Sequence, residues 1–143
     1  MEKIVVGVDG SAGSRTALRW AHAEAQLRGA RLEVVAAWQY PITTSLPAFG
    51  AMPAPEDLSA QSRDSLIALL SEEGITATGP VDVSTLVAEG TAAQVLLDAS
   101  KDAALLVVGS RGHGGFSGLL LGSVSQQCVT HAQCPIVVVP KTA

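Results

Sequence analysis

Two segments far apart in the chain carry the residue types that hold a polyphosphate. The segment Gly109-Ser110-Arg111-Gly112-His113-Gly114-Gly115-Phe116-Ser117-Gly118 places five glycines within ten residues, and nine residues separate Gly112 from the following Gly122-Ser123-Val124-Ser125. Glycine lets backbone N–H groups turn inward and approach an anion without a Cβ in the way. If Ser123 opens a helix, the unpaired N–H groups there and the helix dipole favour phosphate oxygens. Arg111 and His113 are placed to offset phosphate charge. The competing reading is a glycine-rich surface turn, and only the flanking elements decide between them.

Asp9, in Val8-Asp9-Gly10-Ser11, is the second candidate. A carboxylate at a strand end can accept a ribose hydroxyl proton, help hold Mg²⁺, or cap the next helix, and its several lone pairs allow more than one of these. Other nucleotide motifs are absent or misplaced. No Gly is followed by Lys-Ser or Lys-Thr, and Lys3, Lys101 and Lys141 lie outside the loop. Gly7, Gly10 and Gly13 begin inside a strand and lack dinucleotide spacing, so they read as a tight strand-to-helix turn. Cys128, His131 and Cys134 invite a metal or redox reading. The spacing is not CxxC and a zinc set is incomplete, so two mostly buried thiols in a reducing compartment is the reading taken.

The elements that must position these residues alternate between short apolar runs and longer stretches of helical period, the pattern of consecutive βαβ units. Residues 4–8 read as the first strand. A helix capped by Ser11 or Ser14 follows and stops at Gly29. Residues 32–38 form a second strand, and the irregular, proline-interrupted stretch from Gln39 to Pro55 reads as one long loop. Next come a helix from about Pro55 to Glu73, a third strand over 81–88, a helix capped by Thr91, a fourth strand over 104–108, a helix opening near Gly122-Ser123, and a last strand over 136–139. The predicted fold is a five-stranded, mostly parallel, doubly wound α/β sheet of order 3-2-1-4-5, with helices on both faces, in a single domain over 1–143. In that order the ligand crevice opens between the carboxyl ends of the first and fourth strands, at Asp9 and Gly109.

Composition agrees. The chain has 143 residues, 48% hydrophobic and only 3% aromatic, so an aliphatic, β-branched core suited to buried parallel strands is expected. A net charge of −4 makes nucleic acid a poor partner. With no basic leader, cleavage site or long apolar run in the sequence, neither secretion nor membrane insertion is expected, and the expected setting is cytoplasmic.

With those residues in view, the chain resembles the universal stress protein family over nearly its whole length. The carriers are residues 4–11, Val34-Val35-Ala36-Ala37-Trp38, the glycine-rich segment with Gly122-Ser123-Val124-Ser125, and residues 131–139 ending in Pro135-Ile136-Val137-Val138-Val139. The glycine segment is similar to that of the ATP-binding subclass, and the resemblance implies a Rossmann-like, adenine nucleotide alpha hydrolase-like fold. It implies adenine near the end of the second strand, ribose between the first strand end and Gly109, and phosphates over Gly112, Gly122 and Ser123. Carried over by position, Val8, Asp9, Gly10 and Ala37 line the nucleoside end, with Val124 and Ser125 near the phosphates; Ser11 and Arg111 complete the candidate cofactor-binding set. Two departures stand out: Ala36 replaces a histidine often found there, and Ala37 is smaller than the usual valine. The resemblance also makes Cys134 a residue common before the signature proline, and Gln39 to Pro55 a flap beside the adenine.

The expected function is a nucleotide-dependent regulatory module in a stress response, acting through ATP occupancy, Mg²⁺ carried by the nucleotide and a protein partner of unknown identity. Hydrolysis should be slow or absent, because the loop offers no lysine and no obvious water-orienting group; Glu89 ends the third strand, away from the crevice. The alternative is a slow ATPase stimulated by a partner. A flavin or dinucleotide domain lacks its motif, and an empty-site structural dimer does not need the glycine spacing found here. The last strand, Ile136 to Val139, is an uncharged edge expected to form a homodimer, in line with the family resemblance.

Overall fold

The computed structural model describes residues 1–40, 54–111 and 121–141. Along the chain run β1 (Lys3–Gly7), α1 (Ala12–Arg28), β2 (Arg31–Trp38), α2 (Pro55–Glu72), β3 (Val83–Glu89), α3 (Ala92–Ala99), β4 (Leu105–Gly109), α4 (Ser123–His131) and β5 (Ile136–Val139). The strands form one sheet of order β3-β2-β1-β4-β5, every neighbouring pair parallel. The fold therefore has the predicted order, with the crossover between β1 and β4.

Burial on both faces explains why the central strands read as unbroken apolar runs. Ile4, Val6, Leu32, Val34, Leu105 and Val107 point into a core shared with Ala17, Leu18 and Ala21 of α1 and Leu66 and Leu69 of α2. Val5, Val35, Leu106 and Val108 point to the other side, against Val95 and Leu96 of α3 and Cys128 of α4. At about 25 cal/mol per Å² of apolar surface, this two-sided burial is the main term holding the sheet together.

Local chemistry sets the helix ends. Ser11, not Ser14, is the α1 cap: its hydroxyl accepts the Ser14 N–H at 3.2 Å. Gly29 ends α1 in the left-handed region (φ 63°), so that the Ala30 N–H reaches the Ala25 carbonyl. Pro55 opens α2, with Glu56 and Asp57 in its first turn. Thr91 caps α3 by accepting the Gln94 N–H.

Strand limits shift slightly from those expected. β3 starts at Val83, because the ladder with β2 begins at Leu32↔Val83; Val81 is buried in the core without joining it. β4 extends through Gly109, which pairs with Val139. Of the Gln39 to Pro55 loop, residues 41–53 lie outside the described residues, as do its Leu46, Phe49 and Met52; Tyr40 packs edge-on against Trp38, ring centroids 6.0 Å apart.

Candidate functional site at the carboxyl edge of the sheet

The site is built where β1 and β4 end side by side. Beyond β1 the chain makes a closed turn into α1: the Val8 N–H donates to the Val35 carbonyl at 2.9 Å, the Asp9 N–H to the Ser14 hydroxyl at 3.2 Å, and the Ser11 N–H to the Asp9 carboxylate at 2.9 Å. Gly10 sits in this turn at φ 82°, a conformation that L side chains rarely adopt. The Asp9 carboxylate thus organises the turn without being the α1 cap.

An open cleft of about 460 Å³ lies against this turn. Val8, Asp9 and Gly10 from the β1 end and Ala36 and Ala37 from β2 line one side, so four predicted nucleoside-end residues meet in one cavity. The volume falls in the range of small-molecule sites. The small Ala36 and Ala37 side chains contribute to that space. The opposite wall was not foreseen from the sequence: Arg15 of α1 and Ser62, Ser65, Leu66, Leu69 and Glu72 of α2. Its signal was the pair of serines among the α2 leucines at helical spacing, a strip of small residues on an otherwise bulky face. Arg15 is held there by Glu72 at 2.7 Å and Glu73 at 3.4 Å, which ties α1 to the end of α2.

On the β4 side, the Ser110 peptide is the junction. Its N–H donates to the Val139 carbonyl at 2.9 Å, and its carbonyl accepts the Gly122 N–H at 2.6 Å and the Ser125 hydroxyl at 3.0 Å. Ser125 is buried, and its hydroxyl is also 3.0 Å from the Gly122 carbonyl. The Ser125 side chain therefore fastens the helix start to the strand end. Gly122 is the residue before α4, with no side-chain cap, and the first helical bond runs from the Gln126 N–H to the Gly122 carbonyl at 3.0 Å. The backbone N–H groups of Ser123, Val124 and Ser125 precede that bond and have no acceptor within the helix. The Ser123 side chain is exposed, whereas Val124 packs against the core of the second face, leaving its main chain for the site.

Gly109 and Arg111 are at the junction, close to α1; Gly112 and His113 lie outside the described residues. Ser11 is occupied as a cap. Glu89, paired with Trp38 at the far side of β2, is separated from the β1–β4 crevice as expected. The thiols are poor ligands: burial pushes Cys128 up to about 11, and burial also raises Cys134 against hydrogen bonds from Ser100 and the Leu106 backbone. Among the described residues no three His, Cys, Asp or Glu side chains gather as a metal set. Among them, too, no helix is long and apolar enough to cross a membrane.

A parallel sheet of this order, with a cleft beside the end of β1 and a glycine-pinned helix start beyond β4, defines a doubly wound α/β domain. The chain belongs to the universal stress protein family, whose sequence profile matches residues 1–140. It is 36% identical over 140 residues to Universal stress protein Rv2623 of Mycobacterium tuberculosis, covering 95% of this chain and 46% of that protein. The chain thus spans about half the length of the curated relatives it matches. Among solved structures it is similar to universal stress protein UspA from Lactobacillus plantarum, with TM-score 0.78, 24% identity, and coverage of 96% of this chain and 97% of that one. It is also similar to a universal stress protein in complex with cAMP, with TM-score 0.70, 26% identity and 96% coverage of each chain.

Proposed function

We propose that this chain binds ATP, with Mg²⁺ entering on the nucleotide, and that occupancy of the site is its signal to a protein partner in the cytoplasm. The observation that carries this reading is the uncapped start of α4, whose Gly122 is pinned to Ser110 just beyond the carboxyl end of β4, the neighbour of β1. Such a helix start offers backbone N–H groups and the positive end of the helix dipole to phosphate. The cleft lined by Val8, Asp9, Gly10 and Ala37 suits the adenosine, and a structural relative's complex with cAMP supports an adenine nucleotide as the ligand class. Gly109, Arg111, Gly112, Gly122, Ser123, Val124 and Ser125 form the phosphate side, with Asp9 assisting the metal.

Turnover in this reading is slow. Lys3 and Lys101 are tied to Asp102 at 2.7 Å and Asp98 at 3.5 Å, at the amino end of the sheet and away from the site. Backbone N–H groups cradle ground state and transition state almost alike, which tightens binding without accelerating transfer. Calorimetric titration with Mg²⁺ and ATP tests the reading: wild type should bind, and Gly122→Val should not. Valine tolerates the extended backbone found at Gly122 (φ −74°, ψ 171°), but Gly122 is buried, so the variant's circular dichroism and melting must match wild type for its loss of binding to count. Unchanged affinity in the variant moves the site elsewhere. Steady-state phosphate release near about 10 per second, lost in Ser123→Ala, would make the protein an ATPase instead.

A further inference from the structure

The start of the glycine-rich loop rests on α1 through a contact that involves no side chain. Gly13 is buried in the first turn of α1, and a Cβ built on it would lie 2.6 Å from the Arg111 carbonyl oxygen. From the other direction, a Cβ on Gly109 would lie 2.9 Å from the Gly13 oxygen and 3.0 Å from its carbonyl carbon. Main chain cannot swing aside as a side chain does, so either substitution must displace a backbone segment. Gly13 is not among the positive-φ glycines. Space, not backbone conformation, requires glycine there.

The Ser110 peptide between Gly109 and Arg111 is already bonded to Val139 of β5 and to Gly122 and Ser125 of α4. The contact at Gly13 adds a third support, from α1. From this we infer that Gly13 is a positioning residue for the phosphate end of the nucleotide site. By letting the Arg111 main chain lie flush on α1, it sets the separation between the Asp9–Gly10 turn and the start of α4. The inference rests on the nucleotide reading above and adds a residue that itself touches no phosphate. Adenosine engages only the cleft side, whereas ATP must also reach α4. A displaced Arg111 segment should therefore weaken ATP and spare adenosine.

The test is calorimetric affinity for ATP and for adenosine in wild type, Gly13→Ala and Gly7→Ala. Gly7 is the control: its added Cβ would meet Leu96 Cδ1 at 2.6 Å and Cδ2 at 2.8 Å, a side chain on the opposite face of the sheet. Gly13→Ala should lower the ATP-to-adenosine affinity ratio roughly tenfold or more, while adenosine affinity stays within about twofold. Gly7→Ala should lose stability and keep the wild-type ratio. A Gly13→Ala ratio equal to wild type, or an equal fall in Gly7→Ala, overturns the inference while leaving the nucleotide reading intact. A wild type with no preference for ATP removes the nucleotide reading and the inference with it. If Gly13→Ala does not fold, the Gly13 amide resonance of the wild type decides: ATP should shift it well beyond the adenosine shift, and equal shifts overturn the inference.

Discussion

Gly7, Gly10 and Gly13 are evenly spaced in the sequence, yet each is glycine for a different physical reason. Gly7 makes room for Leu96, Gly13 for the Arg111 carbonyl, and Gly10 adopts φ 82° with open space around it. At Gly10 the cost of a side chain is therefore conformational alone. Gly10→Ala should lower unfolding free energy by about 1–2 kcal/mol, the strain of an L residue in the left-handed region. Urea unfolding checks this; a stability equal to wild type would mean that the turn relaxes into an ordinary conformation. The Ser125 hydroxyl likewise belongs to the framework, since it is spent on the carbonyls of Ser110 and Gly122.

At the scale of elements, the wall of the cleft depends on how α1 and α2 are joined. Arg19 grips Glu73 with two bonds, Nε at 2.6 Å and a terminal nitrogen at 2.9 Å, while Arg15 reaches Glu72 and Glu73. The Glu73 side chain is only 9% exposed. The Arg19 hydrogen bond, opposed by burial and aided by Arg15, holds its carboxyl below the ordinary 4.5. A depressed folded value means stabilisation that is complete above the unfolded value and lost as pH falls through the folded one. Glu73→Gln should thus melt at lower temperature than wild type at neutral pH, with the gap closing as pH falls below the ordinary carboxylate range. Melting curves across that range provide the check; a gap independent of pH would assign the effect to packing. The exposed Arg19 limits its size, because solvent screens the pair.

For the whole molecule, the two sheet edges differ in chemistry. β3 presents exposed Ser84, Thr85, Leu86 and Glu89, polar but for Leu86, whereas β5 is Ile-Val-Val-Val with its first three residues only partly buried. An uncharged edge strand invites pairing with another chain. We propose a homodimer through β5, closed by a two-fold axis. Its functional interest is the Val139 carbonyl, which holds the Ser110 peptide and so joins this edge to the site. Sedimentation at micromolar concentration should give about twice the 14.6 kDa chain mass; a single species at 14.6 kDa rules the dimer out.

The sequence by itself determined the element order, the parallel sheet, the Thr91 cap and the Gly29 stop. These are local or periodic signals: strand length, apolar period and capping residues each leave a mark within a few positions. It also marked Gly122 and Ser123 as a helix start. Tertiary structure alone chose between Ser11 and Ser14 as the α1 cap, brought Ser62, Ser65 and Arg15 to the cleft opposite Ala36 and Ala37, and turned the Ser125 hydroxyl to the Ser110 carbonyl. It alone set Gly13 against Arg111. Contacts between segments distant in the chain follow from how helices lie across the sheet, and a contact between two backbones leaves in the sequence only a glycine, a residue with several other reasons to be there.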